Sequence, residues 1–200
     1  VGLPDTVNMI GDNAYEACDK IDKVLFSDNS ELVQIGNKAF YNCKNLVECQ
    51  LGPEIESFGK SCFENCENLG NIAIANAQVF GNDVINKIET QLVTNLNFIT
   101  QIDLVNSKIK SIAENCFKNC TSIVTVNIVN SIETIEDGAF QGCTSLRNVV
   151  FEGADKLTDI GNEAFKECVN LENIVLSDNI KSIGNSVFEE CRSIKNFTSY

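Results

Sequence analysis

The chain of 200 residues carries 28 acidic and 15 basic residues, no histidine and a formal net charge of −13. This balance disfavours nucleic acid and anionic membrane surfaces as partners, since both are bound through clustered Lys and Arg. No run of about 18 apolar residues occurs, so the sequence predicts no transmembrane helix and no membrane insertion. The chain begins part-way through a repeat and does not open on a signal-peptide pattern, and we therefore expect a piece of a longer protein.

One motif recurs from end to end, in the form I-x-x-I-x-x-x-A-F-x-x-C-x-x-L-x-x-I-x-L, and one clear copy runs from Ile132 to Phe151. Its cysteine position occurs eight times, at Cys18, Cys43, Cys66, Leu96, Cys120, Cys143, Cys168 and Cys191. Three residues earlier stands an aromatic position, held by Tyr15, Phe40, Phe63, Val93, Phe117, Phe140, Phe165 and Phe188. A short period repeated this often indicates a solenoid, in which stacked units bury a common core. We therefore predict one domain over residues 1–200, with eight repeats spaced 23 to 30 residues apart.

Each repeat contains three predicted elements in chain order. The Ile-x-x-Ile pair is a short extended stretch, and the segment up to the cysteine places apolar residues at i, i+1 and i+4, which suits one helical or 3₁₀ turn. The closing I-x-L alternates apolar and polar residues and predicts a short strand with one buried face. Stacking should turn each apolar position into a buried ladder, giving an α/β solenoid with a parallel sheet.

The fourth repeat, about residues 67–96, departs from the others. Thirty residues separate Cys66 from Leu96, and the aromatic, alanine and cysteine positions become Val93, Leu92 and Leu96. A drifted repeat with a surface bulge is the simpler interpretation, since surface loops accept insertions. The alternatives are a loop that shapes a binding face, or a boundary between two blocks of repeats.

The string from Ile35 to Leu46, I-G-N-K-A-F-Y-N-C-K-N-L, resembles the BspA-type leucine-rich repeat, as does the string from Ile135 to Leu146. The resemblance covers essentially the whole chain, which departs from the family pattern in lacking the proline after the strand except at Pro4 and Pro53. It implies a right-handed leucine-rich-repeat solenoid with a concave parallel sheet and short extended, 3₁₀ or helical turns on the convex side. It also implies a cell-surface or secreted protein of a bacterium or parasitic protist, of the kind associated with adhesion to host cells and extracellular-matrix proteins.

The ten cysteines are predicted to be buried, reduced thiols. Neighbouring ladder positions are close enough for disulfides, but parallel side chains would have to rotate toward each other, and Leu96 replaces one ladder member with an apolar side chain. Two C-x-x-x-C pairs, Cys62/Cys66 and Cys116/Cys120, could ligate zinc. Because Cys62 and Cys116 occupy the alanine position of the motif, packing explains them better, and we predict no metal and no cofactor.

Catalysis is not expected from this sequence. Without histidine, the Ser/His/Asp, Cys/His and His-metal arrangements are excluded, and the pair Glu189/Glu190 is expected on an exposed turn. Glycosylation signals occur at Asn119 and Asn196, but two are close to chance in so Asn-rich a chain. Asn119 also adjoins a buried position, so we do not expect it to be modified.

The outward positions of the eight predicted strands form the candidate site. They are poor in charge and rich in Asn, Gln, Thr and small aliphatic side chains, which is typical of a protein-binding face rather than of a solvated sheet. The candidate partner-binding residues are Asn71, Gln101, Asp103, Thr125, Asn127, Asn148, Val150, Asn173, Val175, Asn196 and Thr198.

Two non-catalytic functions remain open. The first is recognition of a host-cell or matrix protein by a surface or secreted domain. The second is an intracellular scaffold for protein–protein interactions, which the free thiols and the absence of a signal peptide favour. Open solenoid ends, with unpaired strand edges, also predict end-to-end self-association.

Overall fold

The computed structural model describes residues 2–74, 101–104, 108–128, 131–151, 155–176 and 178–199. In these ranges all paired strands are parallel, and they form three sheets. The largest, called the long sheet here, has eight strands: β2 (Lys23–Leu25), β4 (Glu48–Leu51), β6 (Asn71–Ile74), β7 (Gln101–Asp103), β9 (Thr125–Asn127), β11 (Asn148–Val150), β13 (Asn173–Leu176) and β15 (Asn196–Ser199). They neighbour one another in chain order, which confirms the predicted parallel-strand solenoid.

The second members of the Ile-x-x-Ile pairs end seven two-residue strands. Three of these strands form one sheet: β1 (Met9–Ile10), β3 (Gln34–Ile35) and β5 (Ser57–Phe58). Four form another: β8 (Ser111–Ile112), β10 (Thr134–Ile135), β12 (Asp159–Ile160) and β14 (Ser182–Ile183). The predicted extended stretches are therefore present, divided into two blocks between β5 and β8.

The predicted helical or 3₁₀ turns are not found, because no helix occurs among the described residues. Two positions of every described turn, five residues and one residue before the cysteine, have positive φ, as at Asn115 (54°) and Asn119 (59°). Left-handed residues interrupt the run of right-handed conformations that a helix needs. Alternate N–H groups bond to the next turn instead, as from Phe117 to the Ala139 carbonyl at 2.9 Å. The α part of the predicted α/β class is thus not confirmed.

The ladders form the core. Phe40, Phe63, Phe117, Phe140 and Phe165 are fully buried, and each ring lies nearly parallel to the next, with centroids 5.3–5.7 Å apart. The ladder cysteines from Cys43 to Cys168 are also fully buried. Every described strand of the long sheet whose side chains are placed buries its central residue, as at Val24, Ile72 and Val126. The predicted core positions are confirmed where the structure describes them, with two exceptions. In the outermost turns burial is incomplete, as at Ile183 on β14, which is 47% exposed, and Phe151 directly after β11 is half-buried.

The stack passes directly from the third predicted turn to the fifth. Phe63 stacks on Phe117 with centroids 5.7 Å apart, and the Phe63 N–H donates to the Cys116 carbonyl at 3.0 Å. On the strand side, by contrast, β7 of the fourth repeat lies between β6 and β9. The side chain predicted for the fourth turn therefore does not lie between Phe63 and Phe117. Val93 and Leu96, which the sequence assigned to that turn, lie outside the described residues. The count of eight complete repeats is therefore not confirmed.

The contact between residues 55–66 and residues 108–120 is called the junction here. Phe58 replaces the usual isoleucine there and meets the rings of Phe63 and Phe117 edge-on, at 5.8 and 6.0 Å. Ion pairs join Lys60 to Glu114 at 2.6 Å and Lys108 to Glu54 at 2.5 Å. Of the interpretations of the fourth repeat, a boundary between two blocks agrees with these contacts.

Candidate functional site

The strand pairing places the candidate residues in two rows along the long sheet. Pairing in register aligns the first outward positions, here called the first row: Lys23, Glu48, Asn71, Gln101, Thr125, Asn148, Asn173 and Asn196. The second outward positions form the second row: Leu25, Gln50, Ala73, Asp103, Asn127, Val150, Val175 and Thr198. All eleven predicted partner-binding residues lie in these two rows. Neighbouring strands are about 4.8 Å apart, so each row repeats at that interval.

The described side chains of the rows lie on the outer surface of the sheet. Asn71, Thr125, Asn127, Asn148 and Val150 are half-buried, whereas Asn173 is exposed. The residues between them in the strands are buried, including Ile72, Val126, Val149 and Ile174. Successive residues of a strand point to opposite faces, so the rows share the face that is turned away from the core. For Gln101, Asp103, Val175, Asn196 and Thr198 the structure gives the strand position alone.

Charge is confined to the N-terminal part of the rows and to Asp103. Lys23 and Glu48 lie at the N-terminal end and form an ion pair of 2.8 Å, in which the Glu48 carboxylate raises the pKa of Lys23. From β9 to β15 the rows contain only Thr, Asn and Val: Thr125, Asn127, Asn148, Val150, Asn173, Val175, Asn196 and Thr198. This segment presents amide and hydroxyl groups beside small aliphatic surfaces, a composition suited to a protein partner.

A row of charged residues lies beside this uncharged segment. The sequence analysis did not predict it. Arg147, Glu172 and Lys195 each precede a first-row asparagine, and backbone hydrogen bonds of 3.0 Å link the three residues across the strands. Glu172 pairs with Lys195 at 2.8 Å and with Arg147 at 3.7 Å, and the hydrogen bond from Lys195 lowers the pKa of Glu172. These residues could have been predicted from the sequence, because all three occupy the same position of the repeat, directly before the first-row residue.

The cysteine ladder contributes to packing rather than to reactivity. The Cys66 thiol donates to the Phe40 carbonyl at 3.1 Å, and the Cys143 thiol donates to the Phe117 carbonyl at 3.2 Å. The same bond recurs at Cys43, Cys120, Cys168 and Cys191. Burial raises the pKa of Cys43 to about 11 and that of Cys143 to about 12. A thiol is nucleophilic as its thiolate, so Cys43 and Cys143 are poorly suited to covalent catalysis or metal binding at neutral pH.

The acidic and thiol side chains of the described residues do not form a metal site. Within those residues no three His, Cys, Asp or Glu side chains are grouped so that they could hold a metal ion. A shallow depression lined by Glu114, Glu136, Asp137 and Asp159 is acidic, but Glu136 and Asp137 already accept hydrogen bonds there, from Ser111 and from Asn162. Nor do the described segments contain a helix long and apolar enough to span a membrane.

The geometry of the Asn119 sequon agrees with its being unmodified. Asn119 has a positive φ, and its side-chain amide donates to the Asn65 side chain at 2.9 Å. A glycan on this nitrogen would replace one of its two hydrogens and would have to fit beside Asn65 in a half-buried ladder.

A family model for the BspA-type leucine-rich repeat region, with six copies of the repeat, matches residues 1–104 and 86–199. The chain belongs to the BspA-type leucine-rich repeat family. Repeat domains of this family and fold are generally non-catalytic and suit interaction with other proteins. No curated protein sequence matches.

Solved bacterial structures show the same fold. A leucine-rich repeat protein from Eubacterium ventriosum is 21% identical with a TM-score of 0.70, over 94% of this chain and 42% of that protein. The pneumococcal vaccine antigen PcpA is 16% identical with a TM-score of 0.65, over 98% and 49%. The T. pallidum leucine-rich repeat protein TpLRR is 21% identical with a TM-score of 0.56, over 86% and 78%. The chain thus spans less than half the length of the first two.

Proposed function

We propose that this BspA-type repeat is a non-catalytic recognition domain that binds a protein of the host-cell surface or extracellular matrix through the outward face of the long sheet. The uncharged segment of the two rows, from Thr125 to Thr198, carries the proposal. In a chain where 22% of residues are charged, four adjacent strands place none in these rows. Charge depletion of this kind is characteristic of the centre of a protein interface.

The chemistry of the rows favours an extended partner. Each strand adds one first-row and one second-row side chain at intervals of about 4.8 Å, so the rows form a long, continuous surface for contact. The amides of Asn148 and Asn173 can donate and accept hydrogen bonds, while Val150 and Val175 add apolar contact area. The paired charges of Arg147, Glu172 and Lys195 form a polar rim along one side of this centre.

A surface location supports the adhesion interpretation. Among the similar structures is a protein described as a pneumococcal vaccine antigen, and an antigen that serves as a vaccine is exposed to the host. We extend this location to the present chain as part of the proposal, on the family and fold that the two share.

A four-site variant tests the face. Asn148, Val150, Asn173 and Val175 are changed to glutamate, and binding to purified matrix proteins such as fibronectin, fibrinogen, laminin and collagen is measured by surface plasmon resonance. Glutamates on four adjacent outward positions should abolish binding, because a partner would have to desolvate them without counter-charges.

The matched control carries the same added charge elsewhere. Met9, Gln34, Ser57 and Ser182 lie on the short strands β1, β3, β5 and β14, and their change to glutamate should leave binding intact. Equal loss in both variants would mean that net charge, not the outward face, governs binding. Failure of the unmodified protein to bind any matrix or host-surface protein would overturn the adhesion proposal.

The thiols favour a second function, an intracellular scaffold that uses the same face. All ten cysteines are present as thiols, and six of them donate to backbone carbonyls. Labelling intact cells of the source organism with an antibody against this domain separates the two functions. Labelling before permeabilisation supports adhesion, and labelling only afterwards supports the scaffold.

A further inference from the structure

Cysteine replaces alanine at one position of the turn on both sides of the junction. That position, four residues before the ladder cysteine, is occupied by Ala14, Ala39, Ala139, Ala164 and Val187 in the other described turns. In the two turns of the junction it is occupied by Cys62 and Cys116. The two cysteines are separated by 54 positions in the sequence, which does not match the regular spacing of about 24 residues, and the direct stacking of the third turn on the fifth brings them together.

The two sulfur atoms face each other. Their Sγ atoms are 3.3 Å apart, and both side chains are fully buried. The hydrogen bond from the Phe63 N–H to the Cys116 carbonyl sets the two backbones one strand spacing apart, about 4.8 Å, which lies within the Cα separation that a disulfide spans.

The ladder thiols are oriented differently. Cys66 and Cys120, in the same two turns, direct their sulfur atoms to the carbonyl oxygens of Phe40 and Phe63 at 3.1 Å. Cys168 and Cys191 interact with each other at the C-terminal end, yet each of them also donates to a backbone carbonyl. The sulfur atoms of Cys62 and Cys116, by contrast, are hydrogen-bonded to each other in the centre of the stack.

We propose that Cys62 and Cys116 are a disulfide-forming pair that locks the junction covalently when the protein meets a small disulfide oxidant. The thiolate of one cysteine attacks a sulfur of the oxidant, for example oxidised glutathione, giving a mixed disulfide and releasing one reduced thiol. The thiolate of the other cysteine attacks the protein sulfur of that mixed disulfide and releases the second reduced thiol. Two protein thiols thereby lose two electrons and two protons, which the oxidant takes up.

The burial of Cys62 and Cys116 determines in which state of the protein they can be oxidised. Burial and the neighbouring thiol raise the pKa of Cys62, so the closed junction holds little thiolate for exchange. We therefore expect fast oxidation while the chain folds or the junction opens, and slow oxidation of the closed native protein. The finished bond restrains the loop between two cysteines that are 54 positions apart, and this loop includes the fourth repeat.

Refolding in a redox buffer tests the proposal. The reduced protein is unfolded in urea, diluted into a mixture of reduced and oxidised glutathione, alkylated and digested with trypsin for mass spectrometry. Cleavage after Lys110 and Lys118 isolates Cys116 in the peptide 111–118, and cleavage after Lys60 begins the peptide that contains Cys62. The expected result is a dominant Cys62–Cys116 cross-link, with a melting midpoint raised by about 10 °C over the reduced protein.

Three variants make the result specific. C62A and C116A should each remove the cross-link and the rise in the melting midpoint, and both should fold, because alanine occupies this position in other turns. C66A should keep both effects, because its thiol donates to a carbonyl. A reduced product, or a dominant cross-link between other cysteines such as Cys168 and Cys191, would overturn the proposal.

Discussion

The turn side of this solenoid and the outward face of its long sheet obey different constraints. On the turn side, every position of the motif has a fixed partner one turn away: ring on ring, thiol on carbonyl, N–H on carbonyl. On the outward face, neighbours in the first row include Lys, Glu, Asn, Thr and Gln, which backbone pairing aligns without one recurring side-chain contact. The repeated motif therefore specifies the residues of the turn side. The outward residues of the long sheet are not fixed by the motif and can vary to suit a partner.

This difference predicts that the two regions respond oppositely to substitution. Changes on the turn side should lower stability and leave binding by the folded protein unaltered. Changes on the outward face should alter binding with little effect on stability. Four experiments, in order of decreasing effect on stability, examine the division.

The largest effect is expected from Phe140→Ala. Its ring is fully buried between those of Phe117 and Phe165, and truncation leaves a cavity, so the free energy of unfolding should fall by about 3–5 kcal/mol. Urea denaturation followed by circular dichroism measures this loss. Phe188→Ala, at a partly buried ring of the last turn, is the matched control and should cost less. An unchanged urea midpoint for Phe140→Ala would contradict the ladder as the main source of stability.

A smaller effect is expected at the left-handed positions. Gly138 has φ of +63°, and an added Cβ would meet the side-chain oxygen of Asn115, so Gly138→Ala should cost about 1–2 kcal/mol. Glu167 occupies a left-handed position with φ of +62°, and Glu167→Gly should stabilise by roughly 0.5 kcal/mol, since relief of strain exceeds the added chain entropy. Thermal unfolding of both variants checks the signs. Stabilisation by Gly138→Ala would show that the turn relaxes to another conformation.

The buried thiols should make the free energy of unfolding depend on pH, by an amount similar to or smaller than the effect of Gly138→Ala. Burial raises the pKa of Cys143 from 9.0 to about 12 in the folded state. The folded protein therefore holds its proton more tightly than the unfolded chain, and the stabilisation is fully present below pH 9 and decreases as pH rises toward 12. Between pH 9 and pH 10 this thiol should account for a loss of about 1 kcal/mol.

Cys143→Ala isolates this contribution from lysine titration. The difference in unfolding free energy between the protein and the variant, measured in reducing urea at pH 8, 9 and 10, should shrink as pH rises. A constant difference would mean that the thiol is not desolvated.

The smallest effect on stability is expected on the outward face. Asn173 is exposed, and Asn173→Ala should change the unfolding free energy by less than about 0.5 kcal/mol. If Asn173 lies in the interface, the same change should weaken partner binding measurably. Urea denaturation measures the effect on stability, and calorimetric titration with the matrix protein identified by surface plasmon resonance measures the effect on binding. A destabilisation as large as that of Phe140→Ala would remove the distinction between the two regions.

Most of the core could be predicted from the sequence, because burial imposes a period. Positions such as Phe140 and Cys143 recur at a fixed offset, and a recurring apolar residue at a fixed offset has few explanations other than a stacked core. The two rows were predictable for the same reason, since strand alternation places Asn148 and Val150 on the face opposite Val149.

The turn conformation could not be read from apolar spacing. Residues at i, i+1 and i+4 fit one helical turn, but Lys38, Glu163 and Glu167 adopt positive φ at positions where asparagine and glycine also occur. The recurrence of Asn and Gly there was the available signal. Cys62 and Cys116 at an alanine position, and Phe58 at an isoleucine position, are departures from the motif whose connection with the junction became evident only from the contacts between the third and fifth turns. The partner-binding role of the rows stays a prediction, because burial and hydrogen bonding do not specify a ligand.

The unequal number of strands and rings has a consequence for curvature. At the junction the strand side advances by two spacings, about 9.6 Å, while the turn side advances by one. The turns on either side of the junction must therefore be farther apart at the long sheet than at the ring stack. The sheet is therefore expected to bend differently at β7 than in the blocks on either side of it. Inserting a strand without a matching ring is thus a way for a solenoid to change the bend of its outward face while its core keeps the same repeat.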